Sequence, residues 1–205
     1  LAGATTINGN LTISGGQLYT STYQITGNAT GTFTIAAGAS LNIGNGGNST
    51  NVLFPTNFIT ANISLSSTST VYYNGNSAQT ISSTPSSYGT LYLLNYSGSK
   101  AADGNINATT LTVTSPTILN MSSYTLTVSG NYTSTGGVSF TSGTFNLAGT
   151  YSNSGSFTCG TGTMNYNGTS AQTIIALNYY NLTISSSRTS NNVTFPSSGT
   201  VGIAN

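Results

Sequence analysis

The groups in this sequence that could carry acid–base, nucleophilic or ionic chemistry are few. Lys100 and Arg188 are the cations, Asp103 is the one carboxylate side chain, Cys159 is the one thiol, and histidine is absent. General acid–base catalysis needs a titratable group within hydrogen-bond reach of the reacting atom, and a nucleophile needs a neighbouring base. Cys159 has no histidine to activate it, and the paired carboxylates of glycoside cleavage cannot be assembled from Asp103 alone. No catalytic residue and no cofactor are expected. Metal binding fails on the same inventory, because zinc asks for imidazole, thiolate or carboxylate and calcium for several carboxylates. What remains is a weak calcium site built from carbonyls in a Gly/Asn turn. Lys100 and Asp103 share one turn, which predicts a surface ion pair, with an interchain cross-link as the alternative. Cys159 stands where Phe157-Thr158-Cys159 calls for an apolar residue, so it reads as a small buried hydrophobe rather than a reactive thiol.

Neutral polar groups offer two further chemistries. Asn74 and Asn167, with Gln79 and Gln172, occupy matching places in two similar stretches, and stacked amides can satisfy one another between neighbouring strands. The same amides, set beside Tyr72, Tyr92, Tyr96, Tyr179 and Tyr180, could bind glycans, although tyrosine is also simply a good strand residue. Asn-x-Ser/Thr triplets start at Asn10, Asn28, Asn48, Asn62, Asn95, Asn107, Asn120, Asn131, Asn167, Asn181 and Asn192. They are candidate N-glycosylation sites, in a Ser/Thr-rich background that produces such triplets by chance.

Composition narrows the partners. Only 1% of the 205 residues are charged and the net charge is +1. Phosphate neutralisation requires clustered Lys and Arg, which excludes nucleic acid and anionic lipid. No apolar run reaches the length of a membrane span. The lack of an initiator Met and of a basic leader reads as a processed chain or a fragment. Yet 36% of residues are hydrophobic and regularly placed, so the chain folds rather than staying disordered. A folded surface without charges favours association, which predicts either glycosylation or assembly.

The elements that must position these groups are strands. Apolar pairs separated by one residue recur at Leu11/Ile13, Tyr23/Ile25, Phe33/Ile35, Leu41/Ile43, Ile63/Leu65, Val71/Tyr73 and Leu91/Leu93. They continue at Leu111/Val113, Leu126/Val128, Val138/Phe140, Phe145/Leu147, Met164/Tyr166, Leu182/Ile184, Val193/Phe195 and Val201/Ile203. This period of two, with Ser and Thr between, describes strands with one buried face, and no window shows a helical period. Gly/Asn clusters such as Gly44-Asn45-Gly46-Gly47-Asn48 and Thr135-Gly136-Gly137 mark the turns.

The strands are organised by a repeat. Val71-Tyr72-Tyr73-Asn74-Gly75-Asn76-Ser77-Ala78-Gln79-Thr80-Ile81 returns 93 residues later, as Met164-Asn165-Tyr166-Asn167-Gly168-Thr169-Ser170-Ala171-Gln172-Thr173-Ile174. Each copy leads into a Tyr-led strand, Tyr88 to Leu93 and Tyr179 to Ile184. A second alignment, Leu11 to Thr30 with Leu111 to Thr133, precedes it. The chain therefore divides into units at residues 1–105 and 106–205, continuous with each other, each of several coils. Stacked repeats predict a parallel β-helix or β-solenoid of about eight to ten coils, ~40–50 Å long at ~4.8 Å per coil. Tandem Ig-like β-sandwiches are the alternative. The pattern Asn-Gly-x-Ser-Ala-Gln-Thr-Ile, with Gly130 to Gly137 and Gly149 to Thr158, resembles the Asn/Thr/Gly-rich repeats of secreted prokaryotic surface proteins with parallel β-helix folds. That resemblance implies an extracellular, cell-surface, adhesin-like or filament-forming protein.

Both ends read as coils without a cap: Ile7, Leu11 and Ile13 at one, Val201 and Ile203 at the other. Unpaired terminal strands invite a further coil, so the expected partner is a copy of the same chain, joined head to tail, or a continuation of a longer one. The leading expectation is a structural subunit of an extracellular filament. A cell-surface adhesin that binds glycans through exposed Tyr and Asn is the other.

Overall fold

The structure is a computed structural model describing residues 1–46, 51–94, 96–188 and 192–204. It is a parallel β-solenoid of about 10 turns, nearly all β. Among the described residues the only helical turn is a short 3-10 segment, Thr60–Asn62. The longest sheet has 11 strands, running from Gln17–Tyr19 to Asn181–Ile184, with a 5-stranded sheet beside it. Each strand in these sheets pairs in parallel with the strand one coil away, for example Thr70–Tyr73 with Tyr88–Leu93 and Thr144–Leu147 with Thr163–Tyr166. Parallel pairing of this kind excludes the sandwich alternative, which requires antiparallel ladders.

Stacking in register turns the apolar pairs into columns. Leu41, Val71, Leu91 and Leu111 lie one above another, and so do Leu126, Phe145, Met164 and Leu182. All but Leu182 of these eight are fully buried, and the core is one cluster that extends from Ile13 to Tyr179. Burial at ~25 cal/mol per Å2 of apolar surface drives this stack, and the intervening Thr and Ser face outward. The strand Ile106–Val113 opens the second unit while pairing with Tyr88–Leu93 of the first. Its two halves then pair with different strands, Thr125–Val128 and Tyr132–Ser134, where one coil side splits into two.

Coil length differs along the axis. From Thr125 the register advances by 19 residues, to Thr144 and then Thr163. Near the start it advances by 22, from Leu11 to Phe33, and then by 30, from Phe33 to Ile63. The longer coil carries an excursion whose Phe54 and Phe58 pack on Phe33 with ring centroids 5.5 and 5.6 Å away. In the regular coils, glycines line the corners because backbone approaches backbone there. A Cβ on Gly155 would stand 1.4 Å from the Gly136 carbonyl oxygen.

Several expected core residues lie at the surface. Tyr23 is exposed, as are Ile184, Phe195 and Ile203. The last three belong to the final rung, which no further coil covers among the described residues.

Candidate functional site

The stretch that occurs twice builds the same two devices in both units. The first is a closed ring of hydrogen bonds around two buried tyrosines. Tyr73 ends one strand and Tyr88 begins the next, and their hydroxyls meet at 3.1 Å. Ser82 donates its N–H to the Tyr73 hydroxyl at 3.1 Å, and the Tyr88 hydroxyl donates to the Ser82 carbonyl at 2.6 Å. Since Tyr88 has spent its one proton, Tyr73 must donate to Tyr88, and the circuit closes. In the second unit Ile175 takes the place of Ser82. Its N–H donates to Tyr166 at 3.3 Å, Tyr166 meets Tyr179 at 3.1 Å, and Tyr179 donates to the Ile175 carbonyl at 2.9 Å. Burial pushes all four phenols above their ordinary value. They therefore stay protonated and act as hydrogen-bonding struts, not as bases.

The second device is a bracket around a buried glutamine. Gln79 Nε2 donates to the carbonyls of Ile43 and Val52, both at 3.2 Å, and its Oε1 accepts from Gly75 N–H at 2.7 Å. Gln172 repeats this with Leu147 and Gly149 at 2.8 and 2.9 Å and with Gly168 N–H at 3.0 Å. Glycine is required at the turn because a Cβ on Gly168 would lie 1.9 Å from the Ala148 carbonyl oxygen. Each glutamine thereby ties its own turn to the preceding coil.

The two cations of the protein complete the two brackets. Lys100 Nζ donates to Gln79 Oε1 at 2.6 Å and to Gly75 O at 2.7 Å, with the Tyr96 ring centroid 5.8 Å away. Arg188 Nη2 donates to Gln172 Oε1 at 2.6 Å and to Tyr166 O at 3.2 Å, and Nη1 donates to Ser170 O at 2.6 Å. Lys100 has no exposed surface, and burial pulls its ammonium down from 10.5 to about 8. Its short bonds are made by the charged form and hold it protonated at neutral pH. The surface ion pair expected of Lys100 and Asp103 does not form. Along Ser99–Ala102 burial alternates, so Lys100 turns inward while Asp103 is exposed and accepts from Ser83 N–H at 2.6 Å.

The remaining sequence candidates are scattered. Gln79 and Gln172 bond backbone rather than each other. The amide ladder forms instead at Asn165 and Asn146, 2.9 Å apart, continuing to Thr127 at 3.4 Å. Its sequence signal was the recurring Thr-apolar-Asn triplet. Of the tyrosines considered for glycans, Tyr179 is buried and Tyr96 packs beside Lys100, whereas Tyr72 and Tyr92 are neighbours on the outer face, their rings tilted by 36° with centroids 5.3 Å apart.

Among the triplet asparagines, Asn28, Asn62, Asn107 and Asn181 use their amide nitrogens on backbone carbonyls of Ile7, Ala29 and Gly31, Ser86, and Thr161 respectively. Asn10 and Asn131 accept from the N–H groups of Thr32 and Thr150 in the next coil. Asn120 accepts from Ser122, Asn167 is half-buried, and Asn192 is exposed. Asn48 and Asn95 lie outside the described residues. At the ends, Ile13 is buried, Ile7, Leu11 and Val201 are half-buried against the core, and Ile203 is exposed. Cys159 is buried, its thiol directed at the Gly162 carbonyl at 3.3 Å.

Among the described residues no three of His, Cys, Asp and Glu come together. No helix is long and apolar enough to cross a membrane. Compared with known proteins, the chain matches no family model, no curated protein and no solved structure.

Proposed function

We propose that this protein is a structural segment of an extracellular, cell-surface assembly, a rod whose coils are extended end to end by further coils. The observation that carries this reading is the final rung. Its strands Asn181–Ile184, Val193–Thr194 and Gly202–Ile203 are each paired on one edge only among the described residues. Ile184, Phe195 and Ile203 stand 50, 65 and 55% exposed on the same rung. An open strand edge beside apolar side chains is a template for another strand. The first rung, Thr5–Thr6, Leu11–Ile13 and Gln17–Tyr19, offers the complementary open edge. A join between unlike faces does not close on itself and gives filaments rather than rings. The incoming coil is either the first rung of a second copy or the next coil of a longer chain. The resemblance of the repeats to secreted prokaryotic surface proteins supports the cell-surface setting.

The test is the state of the 205-residue chain at rising concentration, by sedimentation and electron microscopy. Rods much longer than ~50 Å are expected, and replacing Ile184, Phe195 and Ile203 together by Asp should reduce them to monomers that keep their circular dichroism. Deleting Leu1 to Ile13 should also stop growth. A parent chain that stays monomeric at high concentration, or assembly that survives both changes, overturns the proposal.

A further inference from the structure

One flank of the solenoid has a break in its ladder. The 5-stranded sheet ends at Thr80–Ile81, and in the preceding coil the pairing on this side is the single bridge of Thr56 with Thr26. Residues 53–58 belong to the coil that advances by 30 residues. They stand in the break, and a cleft of about 310 Å3 lies between them and the following coils. Leu53, Pro55 and Phe58 give it an apolar side, and Thr80, Thr84 and Asp103 a polar one.

Asp103 is the one carboxylate side chain of the protein. It is exposed, and each cation of the chain is engaged elsewhere. The Lys100 ammonium is turned inward onto Gln79 and Gly75. The Arg188 guanidinium lies on Gln172, Tyr166 and Ser170, and the Leu1 ammonium donates to the Tyr19 carbonyl at 2.6 Å. One oxygen of Asp103 accepts from Ser83 N–H. A carboxylate offers about four acceptor positions, so most of its capacity is unspent.

The second unit shows that the doubled stretch folds without this acid. The position 93 residues on from Asp103 is Pro196. The coils leading to that copy advance by 19 residues and have no excursion, yet the same tyrosine ring closes there. The cleft and its carboxylate are thus an addition peculiar to the first unit.

We propose that this cleft binds a lysine side chain of another protein. The ammonium lies on Asp103, with the Thr80 hydroxyl as a further acceptor, and the aliphatic stem runs along the apolar side. A lone carboxylate selects a cation, and a charge-assisted bond to it is the strongest contact the cleft can make. Lysine fits better than arginine, because a guanidinium is matched by both oxygens of a carboxylate and one of them is already committed to Ser83. The lysine comes from a different protein, since Lys100 is the only one in this chain and is buried. The site is on the flank of the coils, so it does not depend on the end-to-end joining proposed above.

The test is an NMR titration of the intact chain, at a concentration where it is unassembled, with N-acetyl-lysine methylamide. Saturable shifts at the amides of Leu53, Thr80 and Asp103 are expected, with a Kd of about 1 mM, as suits one small group. The same compound acetylated on Nε should not bind. Asp103→Asn should weaken binding about tenfold, and its amide oxygen still accepts from Ser83, so the fold is kept. Leu53→Ser, at an exposed position, should weaken binding less. Glucosamine and the arginine analogue, which carry other cations, should bind more weakly than the lysine compound. No saturable shift, equal binding of the Nε-acetylated compound, undiminished binding by Asp103→Asn, or tighter binding of glucosamine or the arginine analogue would each overturn the proposal.

Discussion

The two glutamine brackets share a sequence and differ in the cation that closes them. In the first, Lys100 reaches the glutamine from inside the solenoid, one residue before the register pair Ala101 with Thr80. In the second, the position 93 residues on from Lys100 is Val193, the register partner of Gln172. There Arg188 reaches the same Oε1 from a half-buried place, and its Nε is buried without a partner. The amide geometry is fixed by the turn, whereas the positive charge comes from wherever the following coil can supply one. The buried Oε1 of each glutamine has room for a donor beyond the glycine N–H, and the sequence supplies one twice, from Lys100 and from Arg188. The burial differs, however, and so should the energetics. An ammonium removed from water depends wholly on its acceptors, while a guanidinium near the surface retains hydration.

The largest expected effect follows from that contrast. Gln79→Leu takes one of two acceptors from a fully buried ammonium and removes the glutamine partner of the Gly75 N–H and the Val52 carbonyl, and should cost about 3–5 kcal/mol. Gln172→Leu should cost about 1–2 kcal/mol, because Arg188 can turn to water. Chemical denaturation of the monomeric triple-Asp variant measures both, and equal losses would remove the distinction drawn between the brackets.

The tyrosine rings sharpen the comparison from the other side, because they are alike in both units. Tyr88→Phe and Tyr179→Phe each remove one hydroxyl, leaving a backbone carbonyl without its donor and the proton of the partner tyrosine without its acceptor. Each should cost about 1–3 kcal/mol, with a difference smaller than that between the two glutamine variants. A much larger loss at one tyrosine would show that the rings are not equivalent.

A smaller effect distinguishes the cations by pH. The folded state lowers the Lys100 ammonium to about 8 from 10.5, so between those values the unfolded chain binds more protons. Stability should therefore rise as pH increases from about 8 toward 10. The rise should vanish in Lys100→Met and persist in Arg188→Met. Above pH 10 the sign reverses, because the buried phenols, Tyr132 among them at about 12, hold protons that the unfolded chain releases. With Asp103 the only acidic side chain, stability should be nearly flat from about pH 2 to 8. An acid unfolding transition would contradict this.

The period-two pairs and the 93-residue repeat made the solenoid legible, since inward columns of Leu, Val and Phe follow directly from stacking alternating strands. The number of coils followed from the same pattern. The buried tyrosine rings were not legible, because a tyrosine in a strand looks the same whether its hydroxyl meets water or another hydroxyl. Lys100 was misplaced for a related reason. It was read from its nearness to Asp103 in sequence, whereas strand alternation sends neighbours to opposite faces, and Ser99-Lys100-Ala101-Ala102 carried that period with the lysine in phase with Ala102.

The central claim is that the doubled stretch forms a pair of locks between coils. Residue-resolved hydrogen exchange of the monomeric triple-Asp variant tests it most directly, at the amides of Gly75, Ser82, Gly168 and Ile175. All four bond to side chains inside the locks, so all four should exchange slowly, close to the rate set by global unfolding, and Gly75 more slowly than Gly168. Exchange at these four as fast as at Thr30, whose amide is bonded only within an exposed turn, would contradict the claim.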